Sequence, residues 1–263
     1  MLIEENCYEE VLLPLNFKPE YLYDLIRPGS NNDGGYLVCK NSLKRSDMLI
    51  SGGIAYEYSF EKDYLTNTNN DIECYDHTIN NNFYLFRWAG IFLKNFFIQP
   101  TKLKSVFNNL KKPFKFNNFI NNKRVNFYSK ALGYGDQRYL TLEKIISKHS
   151  TQKNFLIKID IEGDEYRLLN DILKFSNQIE GLIIEFHNMD LHINKIQKFI
   201  DKFNLKLVHT HVNNAGVVLN KIPTIIECTF AKNPIILSEL SSTYHKLDCP
   251  NLNNKVEYKI RYI

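Results

Sequence analysis

Between residues 154 and 231 short apolar runs alternate with segments of helical period, and this pattern constrains the fold most. "NFLIKIDI" (154–161) is an Ile-rich apolar run, which predicts a buried strand. "DEYRLLNDILKFS" then places Leu168, Leu169, Ile172 and Leu173 at helical spacing. "GLIIEFH" (181–187) reads as a second buried strand. "LHINKIQKFIDKFN" puts Ile193, Ile196, Phe199, Ile200 and Phe203 on one helical face. "LKLVHTHV" (205–212) and "TIIECTFA" (224–231) complete the series. Strands separated by single helices predict a mostly parallel sheet with helices on both faces, an α/β fold. No helical pattern separates the last two strands, so they are expected as antiparallel neighbours at one edge.

The N-terminal half is consistent with the same sheet. "DMLISGGI" (47–54) predicts a strand ending in Gly-Gly, and "YEYSFEKDYLTN" has helical character. "DIECYDHT" (71–78) predicts the next strand, ending in Asp76. "RVNFYSKALG" (124–133) reads as a further strand and its exit, and "YLTLEKIISKH" (139–149) as an amphipathic helix. From about 79 to 123 an aromatic, basic and mostly helical insertion is expected. At 263 residues the chain fits one large domain, 1–263, that carries this insertion.

Charge is distributed unevenly. No Asp or Glu occurs from His77 to Gly135, whereas Arg87, Lys94, Lys102, Lys104, Lys111, Lys112, Lys115, Lys123, Arg124 and Lys130 do. Such a segment attracts anions: a nucleotide diphosphate, a phospholipid surface or nucleic acid. A solvated basic face in a Lys- and Asn-rich chain explains it equally well. The five Cys are widely spaced with no CxxC, which suits reduced thiols in a cytosol and not a disulfide scaffold or zinc ribbon. The opening "MLIEENCYEEVLLPLNF" is acidic where a secretory signal is basic. "FYLFRWAGIFLKNFFI" (83–98) is broken by Arg87 and Lys94 and is shorter than the roughly 20 residues of a spanning helix. The expected location is cytoplasmic, with no transmembrane segment and with peripheral membrane contact left open.

In open α/β sheets ligands bind beyond the carboxyl ends of the strands, so polar residues there are the candidates. Ser51, Gly52 and Gly53 follow one strand, where glycine lets a ligand approach the backbone. Taken alone the pair is better explained by a tight turn, because a full GxGxxG is absent; Asp76 at the next strand end shifts the reading towards nucleotide binding. Asp76 ends the next strand, where a carboxylate can accept from two ribose hydroxyls. Asp160 ends the 154–161 strand, Glu185 and His187 end its successor, and His209 and His211 lie in the one after. If these strands are neighbours, their ends meet in one crevice able to hold a divalent cation or deprotonate a hydroxyl. Glu162, Asp164 and Glu165 fall at a helix start, where negative charge suits the dipole and caps free N–H groups.

These residues also resemble a known family. "IKIDIEGDEYRLL" resembles the "LKIDVEGAE" signature of FkbM-type S-adenosylmethionine-dependent methyltransferases. "NNDGGYLV", "LISGGIAYEYSFE", "CYDHT", "IIEFH", "HTHVNNAG" and "IPTIIECTF" resemble its ordered blocks over about residues 27–231. The resemblance implies a Rossmann-like methyltransferase sheet with a reversed last strand. It implies S-adenosylmethionine at Ser51, Gly52 and Gly53, with Asp76 on the ribose and His77 beside it. "SGGIAYEYSFE" departs from the family's "DxGxxxG", with Ser51 in place of Asp. Asp33 in "NNDGGY" then either makes the missing contact or meets the acceptor.

Family members often methylate sugar hydroxyls of capsule, lipopolysaccharide or secondary metabolites, so a bacterial sugar or nucleotide-sugar acceptor is expected and nucleic acid is not. A sugar hydroxyl is a weak acid that needs a base or a metal. His187 or His211 is the expected base. Asp160 and Glu185 would position the hydroxyl or, with His211, hold Mg or Mn, although a metal-free site is equally open. The basic insertion would hold the acceptor or form a homo-oligomer contact. Two other classes compete: a metal-dependent nucleotide-sugar glycosyltransferase using Asp160 and Glu162, and a non-catalytic anion-binding module.

Overall fold

The computed structural model describes residues 9–80, 86, 89, 91, 110–149, 153–240, 242 and 244–263. Seven strands form the central sheet: β1 (Met48–Gly52), β2 (Asp71–Tyr75), β3 (Val125–Tyr128), β4 (Phe155–Ile159), β5 (Ile179–His187), β6 (Lys206–Val212) and β7 (Ile225–Ala231). Their order is β6-β7-β5-β4-β1-β2-β3. β7 runs antiparallel to both neighbours, and every other pairing in this sheet is parallel. The expected antiparallel pair at one edge is present, and β7 is the reversed strand. One point of adjacency is corrected: β7 lies between β5 and β6, so the histidines of β6 do not adjoin the end of β5.

Alternation along the strands creates two unlike faces. Ile50, Ile157, Ile159, Leu182, Ile184, Phe186 and Phe230 point to one face. There they pack against α4 (Leu142–Ile146), α5 (Glu165–Lys174) and α6 (Met189–Lys202). Leu49, Ile72, Leu156 and Ile183 point to the other, against α1 (Lys40–Arg45), α2 (Ser59–Asn67) and α3 (Lys112–Ile120). Helices thus cover both faces, as expected. The helix expected over 139–149 is shorter because Tyr139 and Leu140 pair with Ala131 and Leu132, and Thr141 caps α4 by accepting from the Lys144 N–H. Most of the basic insertion expected at about 79–123 lies outside the described residues; α3 is at its described end. Among the described residues no helix is long and apolar enough to cross a membrane.

On the second face, the β5–β6 side is covered by chain termini. His209 and His211 of β6 are buried and ion-paired to the C-terminal segment: His209 Nε2 lies 2.8 Å from Asp248 Oδ1, and His211 Nε2 lies 2.9 Å from Glu257 Oε1. Asn251 Nδ2 donates to Glu227 Oε1 of β7 at 2.8 Å, and Asn214 Nδ2 donates to the Leu252 carbonyl. On the opposite face Glu9–Leu13 and Tyr258–Tyr262 pair in parallel and add Val11, Leu13 and Ile260 to the core.

This clasp is electrostatic and should titrate. Burial alone would raise the Asp248 pKa, but the nearby His209 and His211 charges hold it down at about 2. A carboxyl lowered in the folded state stabilises above its ordinary value near 4, and that contribution is lost as pH falls through 2. Asp248→Asn is expected to cost about 2 kcal/mol at pH 7 and to flatten the stability profile between pH 4 and 2. Urea unfolding of both proteins across that range measures it; parallel profiles would contradict the assignment.

Candidate active site

The register lines up the chemistry-bearing residues at the carboxyl ends. Glu185 of β5 lies opposite Glu227 of β7, which lies opposite His211 of β6. On the other side Ile159 pairs with Ile184 and Gly52, and Gly52 with Tyr75. One residue further, Asp76, Gly53, Asp160 and Glu185 extend the same row, with the Asp160 N–H donating to the Gly52 carbonyl and the Gly53 N–H to the Tyr75 carbonyl. Directly opposed residues share a face. The strand order reverses direction between β1 and β4, at Gly53 and Asp160, which is where an open α/β sheet leaves a crevice.

A cleft of about 190 Å³ opens at that point, lined by Gly53, Ala55, Asp76, His77, Leu132, Asp160 and Glu162, among others. Gly53 has φ +74°, and a Cβ there would sit 1.5 Å from the Asp160 carbonyl oxygen, so only glycine fits. Asp76 is buried and committed to the protein. Its Oδ2 accepts from the Ile54 and Ala55 N–H groups at 3.1 and 2.8 Å, and its Oδ1 accepts from the N–H and hydroxyl of Thr78. Those four bonds match the acceptor sites of a carboxylate, so Asp76 braces the cleft wall and has no free oxygen for the expected ribose contact. His77 is exposed and lines the cleft.

Ser51 does not reach the cleft. It is buried and points towards α2, where its hydroxyl donates to Glu61. Strand alternation explains this, because Ser51 shares the α2 face with Leu49, whereas Ile50 and Gly52 point to the opposite face, towards Leu132 and Ile161. Asp33 also stands off the cleft wall, near Asp160, Glu227 and Asn251; desolvation and the Asp160 charge raise its pKa.

Asp160, Glu185 and His187 converge, with one donor atom from each lying within 4.8 Å of the others. His187 Nε2 is 3.4 Å from Glu185 Oε1, 3.5 Å from Glu162 Oε2 and 3.9 Å from Asp160 Oδ1. Its Nδ1 is 2.8 Å from Glu165 Oε1. Burial opposes the charged ring, but the Glu165 bond and the neighbouring Asp160 and Glu162 charges outweigh it and raise the His187 pKa. Glu185 is pushed well above the carboxylate range by desolvation and by the charges of Asp160, Glu227 and Asp33. His211 is not in this cluster. β7 intervenes, and its two ring nitrogens face Glu227 and Glu257. The metal set expected from Asp160, Glu185 and His211 is therefore corrected: the imidazole that joins the two acids is His187.

Two site residues escaped the sequence reading. Glu165, expected as a helix-start charge, is fully buried; its Oε1 accepts from the Ile161 and Gly163 N–H groups and faces His187. Its one signal was its position as the last acid of the family signature. Lys158, 2% exposed, donates to the Gly53 carbonyl at 3.2 Å, lies 3.7 Å from Glu61 Oε1 and sits 5.1 Å from the Tyr36 ring centre. Tyr36 in turn donates to Asp160 Oδ2 at 2.8 Å.

No family model and no curated protein matches the chain. Solved structures do. The methyltransferase domain of METTL16 aligns with a TM-score of 0.40 and 8% identity, over 73% of this chain and 64% of that one. The N-terminal domain of human METTL16 in complex with SAH aligns at 0.39 and 10%, over 72% and 62%. Precorrin-6y C5,15-methyltransferase from Geobacter metallireducens aligns at 0.35 and 10%, over 73% and 85%. The chain thus spans less than two thirds of these two METTL16 domains.

Removing one partner of a buried ion pair leaves the other charge uncompensated, at a cost of about 3–5 kcal/mol. Lys158→Met strands Glu61, which is wholly buried with Oε2 unpartnered among the described residues. The variant should lose about that much in denaturant unfolding, and adding Glu61→Gln should recover part of it. A loss below about 1 kcal/mol would show that the pair is not the anchor of this site.

Proposed function

We propose that the chain is an S-adenosylmethionine-dependent O-methyltransferase acting on a sugar hydroxyl of a nucleotide-linked or surface-polysaccharide precursor. The observation that carries this reading is the cleft at the β1/β4 switch point, lined by Gly53 and by Asp160, which also belongs to the Asp160–Glu185–His187 cluster. The FkbM-type resemblance supports it, since the "IKIDIEGDEY" and "SGGIAYEY" blocks both border that cleft.

When bound, S-adenosylmethionine supplies an activated methyl group for in-line displacement by an oxygen nucleophile. The chain's own contribution is to seat, align and deprotonate. Gly53 and the Asp76-braced turn at Ile54 and Ala55 let a ligand lie against backbone. Leu132 and Ile161 offer an apolar wall, and His77 a polar one. The hydroxyl to be methylated meets the Asp160–Glu185–His187 end, where Glu165 fixes the imidazole with Nε2 facing the acids. Such a cluster removes a proton through the imidazole as base or through a bound cation that acidifies the hydroxyl.

Calorimetry with S-adenosylhomocysteine is expected to show one site below about 100 μM. Labelled-methyl transfer to a panel of nucleotide sugars should identify an acceptor. His187→Ala is expected to lower turnover by about 10²-fold or more while leaving cofactor affinity within about threefold. No heat with the cofactor product below about a millimolar would overturn the reading. Nucleotide-sugar binding that needs a metal, with no cofactor heat, would favour glycosyl transfer.

A further inference from the structure

We propose that Asp160, Glu185 and His187 bind one divalent metal cation, Mn²⁺ in preference to Mg²⁺, at the adjoining ends of β4 and β5. The inference builds on the methyl-transfer reading, because the cation would stand at the acceptor end of the same cleft.

Each of the three side chains has one atom held by a neighbour. Asp160 Oδ2 accepts from the Tyr36 hydroxyl, and its Oδ1 faces His187 Nε2. Glu185 Oε1 accepts from Asn213 Nδ2 at 3.1 Å; its Oε2 is buried and has no hydrogen-bond partner among the described residues. His187 Nδ1 is engaged by Glu165, and its Nε2 faces three carboxylates. A buried orphan acceptor is costly, and a metal ligand is one of the few roles that offsets it. Engagement of one imidazole nitrogen by a carboxylate is the arrangement that orients a histidine for a metal on the other.

The charge inventory agrees. Asp160, Glu162, Glu165 and Glu185 all lie within ion-pair distance of His187. Even a protonated ring supplies a single positive charge to these four acidic side chains, and Lys158 below is shared with Glu61. The Nε2 separations of 3.4 to 3.9 Å exceed the ~2.9 Å of a good N–H···O bond. A cation at about 2.1 Å brings adjacent ligands to about 3 Å, so the His187 contacts to Glu185 and Asp160 would close by less than about an ångström. Two carboxylates suit Mg²⁺ and Mn²⁺ alike; the imidazole favours Mn²⁺. Of the three, Asp160 also lines the cleft, so a cation held there would supply Lewis acidity to a hydroxyl entering beside it.

Titration of the full chain with MnCl₂, followed by loss of the free-ion electron paramagnetic resonance signal, tests this directly. One equivalent should bind with Kd below about 100 μM, and Mg²⁺ should compete at least tenfold more weakly. Asp160→Asn and Glu185→Gln should each weaken binding tenfold or more with an unchanged circular dichroism spectrum. Exposed Asp136→Asn should leave it unchanged, and Mn²⁺ should raise the melting temperature of the parent but not of Glu185→Gln. No binding below about a millimolar, or binding that survives both ligand variants, would overturn the proposal. Loss on His211→Gln with retention in Glu185→Gln would do the same. Calorimetry with S-adenosylhomocysteine in metal-free buffer is read separately, so heat there with no Mn²⁺ bound would remove the cation and keep the cofactor.

Discussion

The site depends on a buried ammonium. Lys158 projects from the middle of β4, touching the Gly53 carbonyl, Glu61 and the Tyr36 ring. Desolvation opposes its charge, yet the charges of Glu61, Asp160 and Glu185 keep it protonated. That single cation joins four elements: β4, the glycine turn after β1, α2 and the segment carrying Tyr36. It also stands beneath Asp160 and offsets part of the negative potential of the row from Asp160 to Glu227. Carboxylates packed this closely would otherwise take up protons or lie apart.

Much of the fold was legible because β4, β5 and α5 obey simple rules. Five consecutive buried residues, Phe155 to Ile159, leave a strand no alternative, and Leu168, Leu169 and Ile172 leave a helix none. Asp160 was legible for the same reason, as a charge at the end of an apolar strand. The order of β6 and β7 was not. Both read as buried strands joined without a helix, and nothing local says which one lies against β5. That choice decides whether His211 can join the acids; with β7 between β5 and β6 it stands apart, whereas His187 on β5 lies beside them whichever strand comes next. Glu165 was missed because a helix-start acid and a histidine's partner are the same residue in sequence; burial separates them, and His187 is 22 positions away.

Asp76 is a different case. Its placement at the end of β2 was right, but a strand-end carboxylate can bind a ligand or brace a loop. Two backbone N–H groups after Gly53 and two donors from Thr78 reach it first. The bracing has a functional side, because it holds the turn that Gly53 begins. With φ positive there and no room for a Cβ, the backbone after β1 has little freedom, and the cleft wall is set by covalent geometry as much as by packing.

The same electrostatics accounts for a serine at position 51. Residue 51 shares a face with Lys158, its partner across the β1–β4 ladder, and it points at Glu61. An aspartate there would be wholly buried beside a second buried carboxylate, and one Lys158 would have to serve both. Serine removes that repulsion and supplies a donor, so Glu61 accepts from the hydroxyl and keeps the ammonium. Lys158 is thereby held against the Gly53 carbonyl, where the cleft begins.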